Sequence, residues 1–134
     1  MNGYQKYKEQ SIYSMSGVEL LLLLYDEAIK RLKKAEYALE DHDYGVFEDC
    51  IGRTVRIVRY LNSILDMEQP ISGEFRHIYE YLFYDLSRIR AGRERRKDEI
   101  EKVIHVLQEF RDGFEEAGRQ VSGTRVASSK SIVG

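Results

Sequence analysis

Residues 16–40 read SGVELLLLLYDEAIKRLKKAEYALE, and the whole stretch is written as helix. Ser16 offers a hydroxyl and Glu19, three residues on, a carboxylate. That is the spacing of a capping box, which satisfies the orphan amides of a helix start. From there Leu21, Leu24, Ala28, Leu32, Ala35 and Leu39 recur every three or four residues, so one face of a helix from about Gly17 to Glu40 is apolar. The first two turns go further. Val18 to Tyr25 is apolar on every side apart from Glu19, and such a helix needs cover on every side.

Downstream the period returns three times. Asp41, His42 and Asp43 make a polar break, with Asp43 placed to cap a second helix. That helix carries Phe47, Cys50, Ile51, Thr54, Val58, Leu61 and Leu65, runs to about Met67, and has a second apolar row at Ile57, Tyr60 and Ile64. Pro70, Ser72 and Gly73 make the next break. A third helix follows on Phe75, Ile78, Tyr79, Leu82, Leu86 and Ile89, widened by Tyr81, Phe83 and Tyr84. Gly92 stands where a left-handed C-cap residue is cheapest. Asp98 and Glu101 repeat the capping-box spacing ahead of a fourth helix on Ile100, Val103, Ile104, Leu107, Phe110, Phe114 and Ala117, which Gly118 is expected to close.

Residues 1–15 are polar with Tyr4, Tyr7 and Tyr13 spaced among them, an N-terminal arm or short capping helix. Residues 119–134 mix Ser, Gly and Arg without a period and read as a flexible, disordered tail. No segment carries a strand signal. The expected fold is all-α: an antiparallel up-down four-helix bundle, one helical domain over residues 1–118 that includes the arm, followed by the tail. Three of the four stripes are wider than a bundle core needs. The surplus must be covered by the arm, by a second copy, or by a foreign helix.

At 134 residues and 15.7 kDa the chain has room for one domain. A globule of this mass exposes roughly 7,300 Å² against roughly 22,800 Å² unfolded, enough burial for a core without a disulfide or structural metal. A single cysteine, Cys50, excludes a disulfide framework and a cysteine zinc site. Net charge is −2, so the chain as a whole does not attract nucleic acid or an anionic membrane. Its longest apolar run, Leu20 to Tyr25, is far short of the ~20 residues that span a bilayer, and the N-terminus has no apolar leader. A reducing, cytoplasmic setting is expected.

Catalytic chemistry finds little purchase. Di-metal bundle enzymes use two Glu-x-x-His pairs and two further inward carboxylates. This chain has one such pair, Glu74 and His77, off the Phe75–Ile78–Leu82 stripe, while Glu101 precedes His105 at the wrong spacing. There is no phosphate loop and no nucleophile elbow. Cys50 lies on an apolar stripe, where cysteine usually serves as a small hydrophobe. No metal, cofactor or enzymatic activity is expected. The basic run Arg88, Arg90, Arg93, Arg95, Arg96 and Lys97 is read as cations complementing a helix C-terminus rather than a nucleic-acid patch, because Asp98, Glu99 and Glu101 follow at once.

The order and spacing of these features resemble the flagellin export chaperone family, the FliS proteins, from about Tyr4 to Ala117. The resemblance rests on Tyr4 and Tyr7 in the arm, then Ser16, Glu19, the run Leu20 to Leu24, and Tyr25 with Asp26. It continues at Tyr79, Tyr81 and Leu82, at Glu99, Ile100 and Glu101, and at Asp112 and Phe114. Gly17, Glu27 and Phe114 stand where the family often has Pro, Gly and Trp.

The resemblance implies a cytoplasmic chaperone. Its client would be the disordered C-terminal segment of flagellin, held in apolar surface grooves so that filaments do not assemble too early. Through the arm it would dock on the cytoplasmic domain of the type III export gate, with other flagellar regulators left open as partners. The groove residues expected from the surplus rows are Leu21, Leu24, Tyr25, Ile57, Tyr60, Leu61, Ile64, Tyr81 and Tyr84. Tyr4, Tyr7 and Tyr13 would cap the groove or meet the gate. The competing expectation is a homodimeric adaptor or structural bundle without a flagellin client; the first reading allows a monomer or weak homodimer.

Overall fold

The computed structural model describes the backbone of residues 17–133 and the side chains of residues 19–116. The capping pair Ser16–Glu19 and the arm tyrosines Tyr4, Tyr7 and Tyr13 fall partly or wholly outside that range. Four α-helices make up the described chain: α1 (Gly17–Glu40), α2 (Tyr44–Ser63), α3 (Ser72–Gly92) and α4 (Lys97–Val133), with a 3-10 turn at Arg93–Arg96 before α4. No strand occurs among the described residues.

The helices pack in a ring. α1 lies most extensively against α2 and α4, and α3 completes the ring, lying on α2 and most lightly on α4. Neighbours run in opposite directions. The end of α1 meets the start of α4 where Lys97 reaches Glu40 at 2.8 Å, and the start of α1 meets the later part of α4 where Arg111 reaches Asp26 at 2.8 Å. The core is the sum of the four stripes: Ala28, Ile29, Leu32, Ala35 and Leu39 of α1, Phe47, Ile51, Val58 and Leu61 of α2, Tyr79, Leu82, Leu86 and Ile89 of α3, Ile100, Val103 and Leu107 of α4. Cys50 is buried among them, and burial pushes its thiol up from the ordinary value.

The first connection shows how little chain an antiparallel turn needs. His42 takes φ 55° as α1 ends, its amide donating to the Leu39 carbonyl at 3.1 Å while Asp43 donates to Ala38 at 2.8 Å. This is a Schellman closure with histidine in the left-handed seat. Asp43 then turns and caps α2, its carboxylate accepting from the Val46 amide at 3.2 Å, as its position in sequence predicts. Asp43→Ala is expected to cost about 1 kcal/mol in urea unfolding, the ordinary worth of an N-cap.

The element ends differ from the sequence reading at four points. α2 ends at Ser63 rather than Met67, because Asp66 organises a turn of its own. Its carboxylate accepts from Glu68, and its carbonyl accepts both the Gln69 amide at 3.0 Å and the Ser72 hydroxyl. Ser72 and Gly73 consequently open α3 instead of belonging to the break. At the other end of α3 the left-handed residue is Arg93, φ 53°, whereas Gly92 keeps a right-handed φ of −87°. Glycine is needed at 92 for closeness: a Cβ there would lie 2.6 Å from Cγ of Arg96. Finally α4 does not close at Gly118, and its helical backbone continues to Val133. A right-handed glycine weakens a helix by ~1 kcal/mol but does not stop one, and no proline lies beyond Pro70.

Candidate functional site

At one end of the ring the starts of α1 and α3 and the later part of α4 meet in an aromatic box. The Tyr25 ring stacks on Phe114 at 5.8 Å between centroids and sets its edge to Phe110 at 6.4 Å. Phe75 lies 5.1 Å from Phe110 and 5.5 Å from Phe114. The hydroxyls of Tyr25 and Tyr79 are hydrogen-bonded to each other inside the box, and burial pushes both upward from the ordinary tyrosine value, Tyr25 far above it. Outside it, the Arg111 guanidinium donates to Asp26 and to Glu115, and these carboxylates raise its affinity for its proton further.

Several large apolar side chains meet water at this end of the bundle. Tyr60 (46% exposed), Ile64 (45% exposed), Met67, Ile71 and Leu23 all stand out from the same end of the molecule. Tyr60 in the last turn of α2 and Ile64, its C-cap residue, are one turn apart, the Ile64 amide donating to the Tyr60 carbonyl at 3.2 Å. Met67 and Ile71 are held up by the Asp66 turn just beyond it. Leu21, Leu24 and Ile57 are half-buried and join the exposed residues to the core.

A second apolar patch lies on α3. Tyr81 is 63% exposed and Tyr84 is 60% exposed. Beside them a cleft of about 220 Å³ runs along the light α3–α4 seam, floored by Ile78, Leu82, Val103 and Val106. Its rim carries Asp85, Arg88, Glu99 and Lys102. Arg88 sits 5.5 Å from the Tyr84 ring centroid and 3.6 Å from Glu99. Burial and the nearby Glu99 push the Asp85 carboxyl upward.

Of the nine groove residues expected from the sequence, Tyr60, Ile64, Tyr81 and Tyr84 reach the surface. Leu21, Leu24 and Ile57 lie half-way. Tyr25 (0% exposed) and Leu61 (1% exposed) are a correction: both are core. Tyr25 turns inward because Tyr79 supplies a partner for its hydroxyl, and Leu61 sits on the deepest line of α2. Leu23, Met67, Ile71 and Tyr37 are large exposed hydrophobics that the sequence reading did not single out. Met67 and Ile71 carried a usable signal, since apolar residues flanking a proline break have no stripe to join.

Four of the six residues of the basic run, Arg88, Arg93, Arg96 and Lys97, pair with carboxylates. Arg93 pairs with Glu48 at 3.8 Å and lies over the Tyr44 ring at 4.1 Å, Arg96 pairs with Glu99 at 3.2 Å, and Lys97 pairs with Glu40. Tyr44 donates to Glu94, which holds that carboxyl below its usual range. These cations bind acids from α1, α2 and α4, while Arg90 stands in the last turn of α3, where a cation complements the helix C-terminus. Among the described residues no group of three or more His, Cys, Asp or Glu side chains is gathered to hold a metal. Glu74 and His77 are both exposed. No described helix is long and apolar enough to cross a membrane.

The described surface thus carries exposed large apolar side chains beyond those the core encloses. Comparison with known proteins agrees with that geometry. The chain is 24% identical over 116 residues to the flagellar secretion chaperone FliS of Bacillus subtilis (strain 168), an alignment spanning 87% of this chain and 86% of that protein. Residues 1–121 match the family described as flagellar protein FliS, and with nearly the whole length covered the chain belongs to the FliS family.

Proposed function

We propose that this chain is a cytoplasmic flagellar secretion chaperone. It binds the disordered C-terminal segment of flagellin on its apolar surfaces, prevents premature polymerisation, and delivers the client to the type III export gate. The observation that carries the reading is the set of exposed apolar side chains Leu23, Tyr60, Ile64, Met67 and Ile71 at the end of the bundle that also holds the aromatic box. Amphipathic client helices supply the cover these side chains lack. Each ~100 Å² of apolar surface taken from water contributes roughly 2.5 kcal/mol, and ordering the client consumes several kcal/mol of that gain. Two patches, one at the end and one along α3, suit a client that wraps. The name of the B. subtilis relative points the same way. In this reading Tyr4, Tyr7 and Tyr13 of the arm cap the surface before the client arrives, and the arm then meets the gate.

Isothermal calorimetry with a peptide of the last ~40 residues of flagellin tests the reading, a length suited to the 1,000–3,000 Å² buried when a segment folds on binding. Binding with a negative heat-capacity change is expected. Absence of heat together with self-association in sedimentation would favour the homodimeric adaptor, whose second copy would cover the same side chains.

A further inference from the structure

The seam between α3 and α4 is closed at one rung and open at the next. Arg88 reaches Glu99 at 3.6 Å. The two helices run in opposite directions, so one turn back along α3 and one turn forward along α4 bring Asp85 level with Lys102. Both line the cleft of about 220 Å³. Its walls carry opposite charges there, yet among the described residues neither side chain closes an ion pair or a hydrogen bond. Burial and then the charge of Glu99 push the Asp85 carboxyl upward, while Arg88 and Lys102 act on it in the opposite sense. A carboxylate and an ammonium thus face each other across an apolar trough, each with room for a partner.

The trough sets the form of its occupant. A volume of about 220 Å³ falls below the roughly 300–1,000 Å³ of a site for a small organic ligand. It suits apolar side chains that project from a larger body, one that also covers the exposed rings of Tyr81 and Tyr84. Both walls are helices whose backbone groups are bonded within the helix, so no strand can add to them. Ile78 and Leu82 on one wall, and Val103 and Val106 on the other, repeat at one helical turn, which is also the spacing of the anchors on a docked helix. We propose that this seam receives an amphipathic helix of the flagellin segment, its apolar stripe flanked by a basic residue that meets Asp85 and an acidic residue that meets Lys102. The inference rests on the client reading given above.

Two opposite charges on opposite walls do more than attract. They fix direction, as flanking charges do beside the apolar seam of a coiled coil. A helix laid end for end in the trough exchanges its two flanks, and like charges then meet on both sides. The neighbouring Arg88 does not compete for the acidic residue, because Glu99 and the Tyr84 ring, 5.5 Å from its guanidinium, already hold it. The end patch around Tyr60 and Ile64 supplies area without such a pair, so the choice of helix and of direction falls to the seam.

The test is a methyl and amide NMR titration of the full chain with a peptide of the last ~40 residues of flagellin. The methyls of Ile78, Val103 and Val106 are expected to shift with the Kd that calorimetry reads, and to show intermolecular contacts with a helical part of the peptide. Asp85→Lys should weaken that Kd about tenfold and Asp85→Asn about threefold, both losses shrinking as salt is added. Neither change breaks a side-chain pair within the described chain, so both variants should melt with the parent. If the peptide binds while the seam signals stay still, or if Asp85→Lys leaves the Kd unchanged, the inference falls and the client reading stands on the end patch. If the peptide does not bind at all, both fall. Seam signals that move on dilution of the free chain, or on deletion of residues 1–15, would give the trough to a second copy or to the arm and overturn the proposal.

Discussion

Tyr25→Ala lowers the melting temperature by roughly 15 °C, the consequence of losing about 4 kcal/mol from the aromatic box. The ring is fully enclosed, stacks on Phe114, and presents its edge to Phe110. Truncation leaves a cavity among Phe75, Tyr79, Phe110 and Phe114, whose rings are fixed by one another and cannot collapse into it. Tyr25→Phe separates the hydroxyl from the ring. It keeps the packing but leaves the Tyr79 hydroxyl buried without its partner, at a cost of about 1–2 kcal/mol. Thermal melts followed by circular dichroism read both. Melting of Tyr25→Ala within a few degrees of the parent would mean that the residue lines a surface groove, as its sequence position first suggests.

That contrast marks how far the sequence could be read. The period of α1 identifies an apolar face but not which flank of it meets a neighbour. The stripe drawn through Leu21 and Leu24 leaves both half-buried, while Tyr25 and Ile29, a residue further round, are enclosed. Tyr25 can be buried because Tyr79, 54 residues away, completes its hydrogen bond, and no local pattern announces such a partner. Turn chemistry was legible where a side chain acts on its own neighbours, as Asp43 does on Val46. It was not legible where the partner is distant in the fold. Gly92 was expected to provide a left-handed angle, and instead makes room for the Arg96 side chain as the 3-10 turn folds back. The excess of apolar rows, by contrast, could be counted in advance. Tyr60, Ile64, Tyr81 and Tyr84 belong to rows additional to the core stripes, and the four-sided ring has no inside left for them.

The double variant Tyr60→Ala/Ile64→Ala separates client binding from folding more sharply than any core change. Nearly half of each side chain is exposed already, so truncation opens no cavity, and alanine is a better helix former than either residue. A stability change below about 1 kcal/mol is expected. Binding responds differently. Anchors of this kind, each worth about 1–2 kcal/mol when truncated, together weaken the Kd for the flagellin C-terminal peptide roughly a hundredfold. The loss should appear mainly as faster dissociation, since neither residue carries charge to steer the encounter. Tyr81→Ala/Tyr84→Ala then asks whether the α3 patch is part of the same footprint. A client that wraps both patches loses affinity in both double variants, whereas a client confined to the end of the ring loses it in the first alone. An unchanged peptide Kd in both, measured on chains that melt normally, would remove these surfaces from client binding. If the same substitutions instead dissolved a dimer in sedimentation, the uncovered side chains would be assigned to a second copy of this chain.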